Sequence, residues 1–425
     1  MKKYILIITM IIGLFQQSFA LGIDIHGYVR NYLGALTEQD GEYSVTQNTL
    51  DLEFSHSAKN SAFFINPYVN HDKEGELKLD LREAYVDLMW DNADLRVGKQ
   101  QIIWGKADGV FITDIISPKN LSEFLLPDFE EIRIGVNAVK FDYYLGDQTF
   151  ELVWLPEFQP TIFAEQGSIW APKMPNPAEM MSLPMVPPIT YDYSKSEVQG
   201  SLENSELAGK YSFLSSTIDF ELMGAYLWDD NPSIHLLKQM DPNTHQLTGI
   251  TVRPEYHRLT MGGGSFGVTL AGVVIRGEGA YYTGRNYTAM DNPAEGKTYE
   301  EGVVEKDYAH YLLGFDYNVW GVDISGQYIQ ERILDYEEEM VQDEVQNTAT
   351  FLMAKDYLNE TLMLELFTYY GFDNEDGLIR PKLTYDIADG FELLIGANIF
   401  IGEGVGMFGM YEKNDMVYTK LKYSF

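Results

Sequence analysis

Two alternations run through this sequence, and together they leave few folds open. Within segments, apolar and polar side chains exchange places residue by residue from Leu21 to the C-terminus. That is the period of a strand with two different faces. Between segments, the connections alternate short and long. Strand-like runs fall at 22–33, 46–56, 62–70, 81–90, 93–104, 132–145, 148–155, 206–214 and 217–228. They continue at 250–261, 266–283, 308–319, 322–334, 348–357, 361–372, 378–387, 391–401 and 416–425. Even-numbered connections are all brief, such as Asp91–Asn92, Gly146–Asp147, Gly262–Ser265 and Trp320–Gly321. Odd-numbered ones are mostly long, up to Pro156–Ser205. A soluble sandwich has no reason to alternate in this way. An outer-membrane barrel does, with short periplasmic turns and long extracellular loops. The expected fold is all-β, a closed antiparallel transmembrane β-barrel of about 18 strands. One missed or invented hairpin keeps the count even, which leaves about 16 as the alternative.

The alternation assigns faces. In the first run Ile23, Ile25 and Val29 oppose Asp24, His26, Tyr28 and Arg30. In the third, Phe63, Ile65 and Val69 point outward and Asn66, Tyr68 and Asn70 inward, although Pro67 removes a ladder donor. The fourth places Glu83, Tyr85 and Asp87 inside. The fifth loses parity near Lys99, where a bulge is expected. At the C-terminus Val417, Leu421, Tyr423 and Phe425 share one face. Leu421, Tyr423 and the terminal Phe425 form the pattern that outer-membrane proteins offer to the barrel-assembly machinery. The N-terminus reads as a signal peptide over residues 1–20: Lys2 and Lys3, an apolar Tyr4–Phe15, and Ser18 and Ala20 at the cleavage positions. The mature barrel would span 21–425.

Composition agrees and excludes alternatives. The 29 Tyr and 23 Phe suit aromatic girdles at two membrane interfaces. A formal charge of −34 argues against nucleic acid as partner. With 0 Cys, thiolate metal sites and disulfides are excluded. The 7 His are scattered, with no metal-binding spacing and no GxSxG, so neither cofactor nor metal nor enzymatic activity is expected. His56, beside Ser55 and Ser57, comes nearest to a catalytic constellation, at a periplasmic end. GEGAYYTG (277–284) and GEGVGMFG (402–409) precede no helix and read as strand bends. The acidic run Asp335–Glu344 reads as a solvated loop, its sharper alternative being weak divalent-cation binding beside lipopolysaccharide.

Two stretches do not alternate. Residues 104–131 are too long for a turn and are expected to fold into the lumen as a constriction loop. Its candidate residues are Trp104, Lys106, Asp108, Asp114, Glu123, Asp128, Glu130 and Glu131. Facing them on inward parity are Arg30, Arg133, Arg380, Lys382, Lys420 and Lys422, a candidate basic wall. The first and last strands are neighbours in a closed barrel, so this wall can be continuous. Acids opposite a basic wall would set a transverse field of the kind that gives pores selectivity. The plainer reading is unclustered lumen charge, with Arg133 paired to Glu130 or Glu131. The second stretch, 156–205, is a long extracellular loop whose Pro/Met-rich part includes Met180, Met181 and Met185. It is either a capturing surface or a lid on the barrel mouth.

Residues 95–121, LRVGKQQIIWGKADGVFITDIISPKNL, followed by FELVWLPEFQP, resemble the Gram-negative outer-membrane family catalogued as domain of unknown function thirteen-oh-two. Val97, Gly98, Lys99, Gln100, Trp104 and Gly105 match its V-G-R-Q and W-G elements, with Lys99 where Arg is commoner. Ser117, Pro118 and Leu121 match its S-P-x-x-L loop, and Glu157 and Pro160 its acidic-Pro element. The resemblance implies a porin-like barrel, some members being tied to the passage of hydrophobic compounds.

The expected function is therefore passive passage of small solutes through a constricted pore in a Gram-negative outer membrane. One alternative is a transporter for hydrophobic or amphiphilic molecules. Another is a non-conducting adhesin or structural barrel. Outer-membrane lipid, lipopolysaccharide and the assembly machinery are the expected partners, and nothing marks an intersubunit face.

Overall fold

A computed structural model of the protein describes residues 22–38, 41–72, 75–172, 187–244 and 246–425. The proposed signal peptide and Met180, Met181 and Met185 lie outside the described residues.

Eighteen antiparallel strands close into one barrel. The first nine are β1 Asp24–Leu36, β2 Tyr43–Ser57, β3 Ser61–His71, β4 Leu77–Met89, β5 Ala93–Gln100, β6 Val136–Leu145, β7 Gln148–Leu155, β8 Glu206–Leu214 and β9 Ile218–Trp228. The rest are β10 Arg258–Leu270, β11 Val273–Thr288, β12 Val303–Val319, β13 Val322–Ile333, β14 Val345–Tyr357, β15 Leu362–Gly371, β16 Asp376–Ala388, β17 Phe391–Ile401 and β18 Met416–Ser424. Each strand pairs with the next in sequence, and β1 closes on β18 from Tyr28↔Ser424 to Leu36↔Met416. Closure satisfies every edge, the condition for a sheet to cross a bilayer. Beyond the last paired residue, Phe425 and Gly27 exchange backbone hydrogen bonds of 3.0 and 3.1 Å and lengthen the seam.

On β12, Tyr311, Leu313, Phe315 and Tyr317 face outward and exposed, while Tyr308 and Leu312 are buried inside. The outer face is thus the apolar one. Leu421, Tyr423 and Phe425 lie on that same exposed face.

The largest departures from the sequence reading lie at three places. Gly262–Ser265 is not a turn but the middle of β10, and the hairpin turns instead at Ala271 (φ 50°) and Gly272 (φ 83°). Two consecutive left-handed residues make the two-residue turn that matches strand twist. The glycines serve close approach: a Cβ on Gly264 would stand 2.6 Å from the Glu221 carbonyl oxygen. Residues 250–255, expected in the tenth strand, belong instead to a separate sheet outside the barrel. At the fifth strand no register shift occurs through Ala84↔Lys99, and the ladder ends at Gln100, so Trp104 leaves the wall. The bulge lies one hairpin earlier, where Asn66 faces Glu83 but Pro67 faces Leu81. The ladder skips Arg82 there, because proline has no N–H to offer.

GEGAYYTG lies in β11, with an irregularity between Tyr282 and Arg285. GEGVGMFG is not a strand bend but part of the β17–β18 loop, where the Asp376 carboxylate accepts the N–H of Phe408 at 2.7 Å. His56 meets the Gly22 carbonyl oxygen at 2.7 Å, a local tie at the short-turn rim. In the acidic run, Glu337 pairs with Lys306 at 2.7 Å and Glu339 with Lys297 at 2.5 Å.

Candidate functional site: a segment across the lumen

Residues 101–135, between β5 and β6, touch strands on opposite sides of the barrel. Trp104 donates its indole N–H to Glu151 of β7 at 2.5 Å. Gly109 accepts the Tyr369 hydroxyl of β15 at 2.8 Å. Leu125 and Leu126 accept from Arg380 of β16, and Glu131 pairs with Arg30 of β1. Only a path through the lumen reaches all four.

The segment folds back on itself first. The buried Ser117 hydroxyl accepts the Ile102 N–H at 2.9 Å and donates to the Ile102 carbonyl. The next residue, Pro118, accepts the N–H of Ile134 at 2.8 Å. Asp114 binds Arg133 at 2.7–2.8 Å, so Arg133 braces the segment from within. It is not a wall residue, and it pairs with neither Glu130 nor Glu131, because the β6 ladder starts only at Val136. A short helical turn, Phe129–Ile132, precedes it.

The first half docks on the β6–β13 side. Ile102, Trp104, Ile112 and Ile116 pack with inward Val153, Ala208, Met261, Tyr282 and Ile329. Each such side chain removed from water contributes about 1.5–3 kcal/mol, more than the segment's exposed ion pairs. Within this contact the buried Glu278 carboxylate accepts the N–H groups of Lys106 (2.5 Å), Ala107 (3.1 Å) and Thr113 (2.8 Å) and the Thr113 hydroxyl (2.7 Å). Gly105, at φ 80°, is required beside it, since a Cβ would run into that carboxylate. Lys106 pairs with Asp219 of β9, and Asp108 with Arg276 of β11, which also holds Asp316 at 2.7 Å.

The second half docks on β1, β2, β4 and β15–β18. Phe124, Leu125, Leu126 and Ile132 pack among Tyr32, Leu378, Phe400, Phe408, Tyr411 and Tyr418. Arg380 donates to the carbonyls of Leu125 (3.0 Å) and Leu126 (2.7 Å). Arg30 pairs with Glu131 at 2.8 Å, and Lys420 with Asp128 at 3.3 Å. Arg82 stands 3.9 Å from Glu131 and 3.4 Å from Asp51. Lys382 and Lys422 make no ion pair with the segment: they pair with Glu365 (2.5 Å) and Glu392 (3.4 Å) on adjacent strands. Glu130 points its side chain to solvent and uses its carbonyl to accept from Gln101 and Arg82.

Burial pushes the Glu123 carboxyl above its ordinary range, and Glu131 adds to that. Burial also pushes Asp128 upward, but Lys420, Lys382 and Arg30 outweigh it and hold that carboxyl low.

The long β7–β8 loop enters as well. Ile162–Phe163 pairs in parallel with Asn120–Leu121, and Trp170 is buried against Phe400 and Tyr411. Between the segment and the β9–β13 wall lies a cavity of about 400 Å³. Its floor is Val110, Phe111, Ile115 and Leu125, its wall Leu259, Tyr282, Tyr308 and Ile329, and its polar rim Asp229, Asp230, Arg285 and Glu331. Burial pushes the Asp230 carboxyl well above its usual range, against the pull of Lys119.

Glu278, Arg276, Glu151, Asp219 and Arg82 were not anticipated. The first four sit on the inward parity of their strands, so a residue-by-residue face count over every strand would have found them. Arg82 is on the outward parity of its strand and turns in only because of the bulge.

The family profile described as "Protein of unknown function (DUF1302)" matches residues 33–363, well beyond the stretch that carries the motifs. Among curated proteins none matches the sequence. Solved structures similar in fold include Acinetobacter baumannii OccAB1 (TM-score 0.55, 9% identity, 95% of this chain and 96% of that one). Pseudomonas aeruginosa OpdL is similar too (TM-score 0.54, 9% identity, 95% and 98%). So is P. aeruginosa OccK5 (OpdH) (TM-score 0.52, 7% identity, 95% and 97%).

Proposed function

The chain belongs to the family described as Protein of unknown function (DUF1302), and from that membership and the barrel interior we propose an outer-membrane channel that passes small solutes passively. Its lumen is narrowed by residues 101–135. The observation that carries this reading is the segment's double anchorage, to Glu278 on one side of the lumen and to Arg380 and Arg30 on the other.

The cavity refines the solute class. An apolar floor and wall under a charged rim suit an amphiphile, a ring or short chain with a polar head, better than a sugar. The second reading, a transporter dedicated to hydrophobic molecules, rests on the same lining and adds the β7–β8 loop as capturing surface.

Purified protein in a planar bilayer should give discrete conductance steps, and deletion of residues 112–126 should enlarge them. Silence at every voltage overturns the channel. An unchanged step after deletion overturns the constriction. Swelling of protein-loaded liposomes should be faster in an aromatic carboxylate than in a neutral sugar of similar size. The reverse order would return the lumen to a general hydrophilic pore.

A further inference from the structure

The β9–β10 loop carries a small sheet of its own outside the barrel. Ser233–Met240 pairs antiparallel with Leu247–Glu255, setting Ser233 opposite Glu255 and His235 opposite Arg253. His257 follows two residues after Glu255, just before β10. This register gathers three ligand-type side chains from the two ends of the loop. The Nε2 atoms of His235 and His257 are 2.9 Å apart, with the rings nearly parallel at 26°. One ligand atom from each of these and from Glu255 lies within 4.8 Å of the others. The remaining ring nitrogen of the buried His235, Nδ1, meets a Glu301 carboxylate oxygen at 3.0 Å.

A single N–H···N bond between neutral imidazoles would account for the 2.9 Å contact alone. Arg253 holds both Glu301, on the oxygen that meets His235, at 3.0 Å and Glu255 at 3.1 Å, and so keeps two carboxylates beside the paired imidazoles. Those are the parts of a divalent-metal site: converging imidazole nitrogens, a carboxylate oxygen, and an acid behind the histidine that sets its tautomer. Two nitrogens bound tetrahedrally to zinc at about 2.05 Å are roughly 3.3 Å apart, so the rings need to part by only about 0.4 Å.

We propose that His235, Glu255 and His257 bind a divalent transition-metal ion of the zinc type, with Glu301 as the positioning residue for His235. A site with two imidazoles favours Zn²⁺, Cu²⁺ or Ni²⁺ over the oxygen-seeking Ca²⁺ and Mg²⁺. With its Nδ1 held on Glu301, His235 turns Nε2 toward His257 and Glu255, which is the nitrogen an ion would use. Glu255 also pairs with Lys195 (3.5 Å) and Arg253 (3.1 Å), and its two oxygens have lone pairs to spare for a metal. The ion would fasten the small sheet to the barrel rim. The His257 carbonyl accepts the Asp229 N–H at 2.8 Å, and Asp229 holds Arg285 of β11 at 2.9 Å.

The test uses full-length chelator-treated barrel in detergent, titrated with Zn²⁺ in a calorimeter with millimolar Ca²⁺ present. Calcium occupies acidic surface clusters but leaves imidazoles free. The expected result is one tight site per chain, lost in the double variant His235→Ala/His257→Ala and weakened about tenfold in Glu301→Gln. A His56→Ala control should bind as wild type does. His235, His257 and Glu301 lie outside the barrel strands, and heat-modifiable electrophoretic migration reports whether each variant keeps its barrel. Equal zinc heats in wild type and a folded double variant would overturn the proposal. Without any variant, stoichiometric Co²⁺ should give the intense visible absorption of a four-coordinate ion, and a weak six-coordinate spectrum would also overturn it.

Discussion

The two halves of the lumen segment are held with opposite polarity. Around residues 105–113 the wall supplies the Glu278 and Asp219 carboxylates to backbone N–H groups and Lys106, with Arg276 on Asp108 as the reversed pair. Around residues 125–131 the wall supplies the positive charge, and the segment supplies carbonyls and carboxylates. Both halves also bury an apolar face, Ile112 and Ile116 in one, Phe124 to Leu126 in the other. Apolar contact therefore holds the segment in place, while the charges decide which stretch lies against which wall. If a transverse field crosses the constriction, it runs from Arg30, Arg82 and Lys420 toward Glu278 and Asp219, with the segment between them.

The largest effect should come from breaking the acidic anchor. Glu278→Ala leaves three N–H groups and a hydroxyl without their acceptor. At about 1–3 kcal/mol per unmet buried donor, the first half should lose at least about 3 kcal/mol of docking. That is a roughly hundredfold rise in its undocked population. Hydrogen exchange should speed up across residues 105–113 and not across 125–131, and conductance should become larger and noisier. Equal acceleration in both halves would mean that the segment docks as one unit, and the contrast would fall.

Next in size is the basic anchor. Arg380→Met removes the donors to Leu125 and Leu126 but keeps much of the stem's bulk. A loss of about 1–3 kcal/mol confined to the second half is expected. Arg380→Lys should recover only part of it, since an ammonium cannot fork to two carbonyls and Asn398 together. Full recovery by Lys would show that charge alone holds this half.

These anchors mark what the sequence made legible. Period-two patterning and loop length set the barrel, because a one-residue slip would turn each apolar face toward water. Ser117, Pro118, Trp104 and Gly105, which carry the family resemblance, prove to be the residues that fold the segment and seat it beside Glu278. Arg30 and Lys420 meet carboxylates of the segment, but Lys382 and Lys422 have nearer acids on adjacent strands. Inward parity states that a charge faces the lumen, and pairing depends on whether the residue directly opposite on the next strand is acidic, as Glu365 is to Lys382 and Glu392 to Lys422. The acidic anchor is masked for another reason: Glu278 sits on inward parity, but in a glycine-rich stretch that reads as a bend. His235 and His257 met through a local register inside a loop, and no spacing motif encodes that.

The smallest effect tests whether the exposed end of the basic side matters at all. Asp128 lies within the barrel yet keeps 60% of its side-chain surface, so its 3.3 Å pair with Lys420 should contribute about 0–1 kcal/mol and fade in high salt. Its carboxyl is held below the ordinary 3.8, so the contribution is present above that pH and is lost as pH falls through the lower docked value. Glu123 behaves oppositely. Its carboxyl is raised above 4.5 by burial, so its contribution is complete below that pH and is lost as pH rises through the raised value. Asp128→Asn should therefore blunt the response of conductance to acid and carry the small loss of the pair unchanged through neutral pH. Glu123→Gln should flatten the response above pH 4.5 and favour the docked segment there. If neither variant alters the pH profile while Glu278→Ala still frees the first half, the second half is held by its aromatic cluster and Arg380, and its ion pairs are only solvated lumen charge.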